Sequence, residues 1–100
     1  MLRAKHHQNR FSEALKVARH AHGLSQEAFS LASSRTYVSA LERGLKTPTL
    51  KKVDELAEVL DLHPLTLLAL SYLRDQEHRA ADALLGQVAR ELSEIWKPRK

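Results

Sequence analysis

A few chain breakers constrain this sequence more than any other feature. Gly23, the pair Ser33-Ser34, Gly44, Pro48, Pro64 and Pro98 punctuate it, and the stretches 1–22, 24–32, 35–43 and 49–63 between them have about the ordinary length of a globular helix. Inside those segments apolar residues return at intervals of three and four. Phe11, Leu15, Ala18 and His22 share one face, as do Leu50, Val53, Leu56, Ala57 and Leu60. Composition agrees with the spacing: 18 Leu and 13 Ala stand against 5 Val and 1 Ile, and Leu and Ala favour helix over strand. The sequence therefore predicts an all-α chain. It excludes a β-sandwich, a doubly wound nucleotide-binding sheet and a disordered chain. The 100 residues suffice for one core, and there is no cysteine to staple it.

The breakers also place the elements. A first helix runs from Phe11 towards Gly23, whose glycine suits the position just past a helix end. Ser25 is the expected N-cap of a second helix, Gln26–Ala32, that buries Phe29 and Ala32 with Ala28. Ser33-Ser34 makes a turn, because adjacent serines compete for backbone hydrogen bonds. A third helix spans Arg35–Arg43, capped by Ser34 or Thr36, with Val38 and Leu41 inward and Gly44 as its stop. After the loop Leu45-Lys46-Thr47-Pro48, Thr49 caps a fourth helix, Leu50–Leu60. Pro64 opens a fifth, whose Leu65–Leu73 stretch is apolar nearly all round and is expected to be buried. Residues 75–96 form a long sixth helix closed by Pro98. The organisation expected is a flexible basic arm (1–10), a folded domain (11–73) and a C-terminal helix (75–100).

The charge is uneven. Residues 1–74 carry 11 basic and 7 acidic side chains, and residues 75–100 carry 5 of each. The positive balance of the first three quarters suits a polyanionic partner. No apolar run approaches the length of a membrane span, and no secretory leader is visible. The absence of cysteine fits a reducing, cytoplasmic setting. There is no glycine-rich phosphate loop, nucleophile elbow or HExxH, so no enzyme and no cofactor is expected. Six histidines (His6, His7, His20, His22, His63, His78) show no ligand spacing, so no metal is expected either.

The short second and third helices, separated by a tight turn, are in the arrangement of a helix-turn-helix, in which the second helix of the pair presents its first turns to the major groove. Arg35, Thr36, Ser39, Ala40 and Tyr37 are the candidates for reading bases. Arginine bonds guanine O6 and N7 with two donors, and threonine bonds a base or touches a thymine methyl.

Leu24-Ser25-Gln26-Glu27-Ala28-Phe29, followed by Arg35-Thr36-Tyr37-Val38-Ser39-Ala40-Leu41-Glu42-Arg43-Gly44, resembles the Cro/CI-type (XRE-like) helix-turn-helix family of bacterial and phage regulators. Phe11, Leu15, Arg19, Gly23 and Leu24 match upstream, and Pro48-Thr49-Leu50 with Leu56-Ala57 match downstream. The resemblance implies a five-helix, lambda-repressor-like domain with an additional C-terminal helix. It implies phosphate contacts from Gln26, Arg43 and Lys46, base contacts near Arg35 and Thr36, and a structural ion pair between Arg19 and Glu42. The chain departs from the pattern between Gln26 and Val38, where it is about two residues shorter, and Ser33-Ser34 replaces the usual turn glycine and apolar residue.

Leu85, Val88, Leu92 and Ile95 repeat with the 3-4-3 rhythm of a helix seam. That seam either packs on the chain's own core or pairs two copies, and dimerisation is the expectation adopted. The sequence thus points to a homodimeric regulator of double-stranded DNA that represses from a palindromic operator, without a small-molecule effector. Controller proteins and antitoxins of this family are sub-readings. The competing expectation is a protein-interaction module of the same fold that does not bind DNA.

Overall fold

A computed structural model describes residues 9–30, 32–73 and 78–97. It contains five α-helices and one 3₁₀ helix, with no strand among the described residues. The α-helices are α1 (Phe11–Ala21), α2 (Arg35–Glu42), α3 (Leu50–Val59), α4 (Pro64–Tyr72) and α5 (His78–Ile95), and the 3₁₀ helix is Gln26–Phe29. α1 packs on α2 and α4, α3 on α4, and the 3₁₀ turn sits between α2 and α3. Phe11, Leu15, Ala18, Phe29, Val38, Leu41, Val53, Leu56, Ala57, Leu60 and Leu67 close one core.

Most boundaries follow from local chemistry. The Ser34 hydroxyl accepts the Tyr37 N–H at 3.1 Å and so caps α2; Thr36 does not. Thr49 caps α3 in the same way, accepting from Lys52 N–H at 3.1 Å. Pro64 occupies the first turn of α4, and the His63 ring adds a cap of its own by accepting the Leu65 N–H at 3.0 Å. Gly44 turns the chain at φ +75°, a conformation that costs a side chain about 1–2 kcal/mol. Asp61 adopts φ +57° after α3 without being glycine, in a region that short polar residues tolerate.

The structure corrects several expectations. The second helix is a single 3₁₀ turn rather than Gln26–Ala32. Its i→i+3 bonds, Ala28 N to Ser25 O at 3.1 Å and Ser30 N to Glu27 O at 3.0 Å, are the tighter winding that a shortened segment needs to bring Phe29 into the core. Ser25 supplies its carbonyl there and no side-chain cap, and Ala28 is exposed. His22 and Leu50 lie at helix ends, beyond the cover of neighbouring helices, and are exposed. Finally, α4 is not buried all round. Leu67 is enclosed, but Leu65 is 63% exposed because the side of α4 facing α5 is left open.

Asn9 and Arg10, at the end of the expected arm, are tied to α4. Arg10 N–H donates to the Ser71 carbonyl at 2.7 Å, and the Asn9 amide donates to the Ser71 hydroxyl at 2.8 Å. Residues 1–8 of the arm, like residues 75–77 and Pro98 of the C-terminal segment, lie outside the described residues.

Candidate functional site

The site is built on α2. Residues 35, 36, 39 and 43 are spaced so that they share one outward row of a helix, and with Gln26 they line one open polar depression of about 390 Å³. Arg35 and Thr36 stand at the capped start of α2, Ser39 one turn on, and Arg43 just past its end. The Arg43 guanidinium lies back along the helix, Nε donating to the Ser39 carbonyl at 3.3 Å. Lys46 is exposed on the loop that follows, outside the depression.

Two expected members of the row are elsewhere. Ala40 is only 6% exposed. It lies about 100° round the helix from Ser39, and the Leu45 N–H returns to its carbonyl at 2.9 Å, folding the following chain back on this turn. Tyr37 is half-buried against the core, with the Lys52 ammonium 5.5 Å from its ring centroid. Its position is that of a packing residue.

The angle of α2 is set by a network beneath the row. Arg19 on α1 grips Glu42 with two donors, Nε to Oε2 at 2.6 Å and Nη2 to Oε1 at 2.9 Å. Arg19 Nη1 also donates to the Leu24 carbonyl at 2.9 Å, and Gln26 Nε2 donates to Glu42 Oε1 at 3.1 Å. One charged cluster thus joins α1, the 3₁₀ turn and α2. Burial by itself pushes the Glu42 carboxyl up. The bonds from Arg19 and Gln26, with the nearby charges of Arg19 and His20, more than reverse this and hold it below the ordinary carboxylate range. The hydrogen bond to Glu42 likewise raises Arg19, against the opposing effect of burial. Gln26 thus spends an amide hydrogen on the network while its side chain also lines the depression.

Two residues of the site escaped the sequence reading. Glu27 sets its carboxylate 3.8 Å from Arg35 Nη1, with both side chains largely exposed. Lys52 pairs with Glu55 at 3.0 Å and donates to the Ala32 carbonyl at 2.7 Å, and this second bond fastens the chain after the 3₁₀ turn to α3. The Glu27–Arg35 and Lys52–Ala32 contacts cross between elements, and helical spacing carries no signal for them; the Lys52–Glu55 pair is an i,i+3 contact within α3.

The described part of α5 leans on α4 and has no buried residue. Leu85, Val88, Leu92 and Ile95 are 53%, 40%, 39% and 74% exposed, so the 3-4-3 seam is not consumed by the chain's own core. No helix among the described residues is long and apolar enough to cross a membrane. The family model described as Helix-turn-helix matches residues 15–67, more than half of the chain and the whole of α2 with its supports. No curated protein and no solved structure matches the chain.

Proposed function

Since the chain belongs to the Cro/CI-type (XRE-like) helix-turn-helix family, whose members are DNA-binding regulators, we propose that it is a sequence-specific repressor, acting as a homodimer on a palindromic operator. The outward row Arg35, Thr36, Ser39 is the observation that carries this reading. It is polar, open and presented on the first turns of a helix held at a fixed angle by Arg19 and Glu42. In this reading Arg35 takes a guanine edge, while Thr36 and Ser39 contact neighbouring bases. Gln26, Arg43 and Lys46 hold the phosphates and set the register. A repressor needs no more than occupancy of its site, and two copies spaced about 34 Å apart read successive half-sites on one face of the duplex.

The 3₁₀ turn in place of a second helix is the observation on the side of a protein-interaction module. Selection of bound duplexes from a random pool, at two salt concentrations, separates the two readings. The regulator recovers a palindrome with half-sites about one turn apart. A folded protein that recovers nothing above background is the interaction module.

On the recovered site Arg35→Ala is expected to weaken binding by about 1–3 kcal/mol and to relax preference at one base pair in each half-site. Competition binding against single-base variants of the operator measures both. An equal loss on random DNA makes Arg35 a phosphate contact instead.

A further inference from the structure

The C-terminal half of α5 and the space between α4 and α5 are an apolar ridge and an apolar groove left open on one chain. The groove, about 290 Å³, is walled by Leu65, Ala69, Leu70 and Leu73 on the α4 side and by Ala81 and Leu85 on α5. The ridge is Val88, Leu92, Ile95 and Trp96, with the last two each 74% exposed. Trp96 lies 11 residues beyond Leu85, about 16 Å along the helix axis, and cannot reach its own groove. We infer that Ile95 and Trp96 of each copy dock in the α4–α5 groove of a second copy, with the two α5 helices antiparallel and Val88 and Leu92 packed between them.

Three observations select a second copy as the occupant. First, a 3-4-3 spacing reads the same in both directions. Antiparallel pairing centred on Arg90 sets Leu85 opposite the second copy's Ile95 and Val88 opposite the second copy's Leu92. The second copy's Trp96 then falls beside Leu85, at the mouth of the groove. The contact is isologous, so both grooves and both ridges are satisfied at once.

Second, charge permits it. Across residues 78–97, Arg79, Arg90 and Lys97 balance Asp82, Glu91 and Glu94, while residues 1–74 have four more basic than acidic side chains. Two like-charged copies meet at least cost across the neutral helix, and the basic α2 face is left for a polyanion. Third, area demands it. A stable interface buries about 800 Å² per partner, which four seam side chains supply poorly and which the added α4 wall and Trp96 bring within reach.

This rests on the homodimer reading and adds to it that α4 and Trp96 belong to the interface. Sedimentation of the full chain, with fluorescence of its single tryptophan, tests it. As concentration rises through the dimerisation range, Trp96 emission shifts to shorter wavelength and quenching by acrylamide falls. Leu65→Asp puts an acid in the first turn of α4, where a helix accepts it, so helicity is retained. It weakens association by a factor on the order of 100 and abolishes the Trp96 shift. Leu92→Asp weakens association too, as any pairing through α5 requires. A chain that stays monomeric throughout overturns the homodimer reading itself. Dimers that Leu65→Asp leaves intact, or in which Trp96 stays open to quencher, overturn only the docking proposed here.

Discussion

Arg19→Met is expected to lower the stability of the domain by about 3–5 kcal/mol, the cost of stranding a buried charge. The methionine fills the space of the arginine stem and removes only the guanidinium. Glu42 then keeps a carboxylate whose side chain is 3% exposed, with Gln26 as its remaining side-chain donor. Against a total of about 5–15 kcal/mol for a domain of this size, the loss is a large fraction of what holds the fold. Urea unfolding followed by far-ultraviolet circular dichroism measures it. Trp96 fluorescence is the wrong probe, because the indole sits on α5, away from the core, and reports association instead. Removing both charges, in Arg19→Met with Glu42→Leu, is expected to restore most of the stability, because no charge is left to bury. A loss below about 1 kcal/mol in the single variant is the behaviour of an exposed pair and contradicts the geometry seen here.

Acid provides a second reading of the same network. Glu42 titrates lower in the folded chain than in the unfolded one. Its contribution is fully present above the unfolded value of about 4.3 and is lost as pH falls through the folded value. The wild-type domain therefore weakens on acidification below about pH 5. The doubly substituted chain is expected to weaken less over the same range.

How much of this was legible in the sequence depended on how local each feature is. Thr49, Pro64 and the glycines at 23 and 44 act within one turn of themselves, and the residue type at each position states the backbone it wants. The outward row of α2 was legible for the same reason: residues four apart on a helix share a face whatever surrounds it. The 3₁₀ turn was not legible. Over four residues, i→i+3 and i→i+4 bonding leave nearly the same apolar spacing, and the choice is made by how far Phe29 must reach. The end of α3 was legible from its apolar stripe to within one residue, but the turn at Asp61 was not, because an aspartate at positive φ does not announce itself as glycine does. Ala40 is ambiguous by size, since a methyl group fits a groove wall or a core alike. Lys52 crosses 20 residues to the Ala32 carbonyl, and that contact belongs to the tertiary fold alone.

Binding to the recovered operator is expected to fall steeply with salt, by roughly 100-fold or somewhat more between 50 and 200 mM. The figure follows from the proposed phosphate contacts. Arg43 and Lys46 are the cations assigned to phosphates, so a dimer neutralises about four and the slope of log affinity against log salt is about −3.6. Gln26, the third proposed phosphate contact, is neutral and releases no counterion. Arg43→Ala or Lys46→Ala therefore removes two contacts per dimer and flattens the slope by about 1.8, equally on operator and random DNA. Arg35→Ala is expected to change the preference among operators and to leave the slope nearly where it was, because its proposed partner is a base edge. Glu27 sharpens this difference. Its carboxylate, 3.8 Å from Arg35, repels phosphates and offers the guanidinium a competing partner, so Arg35 leaves it most readily for the two acceptors of guanine. If Arg35→Ala flattens the slope as far as Arg43→Ala does, Arg35 lies on the backbone, and base reading passes to Thr36 and Ser39.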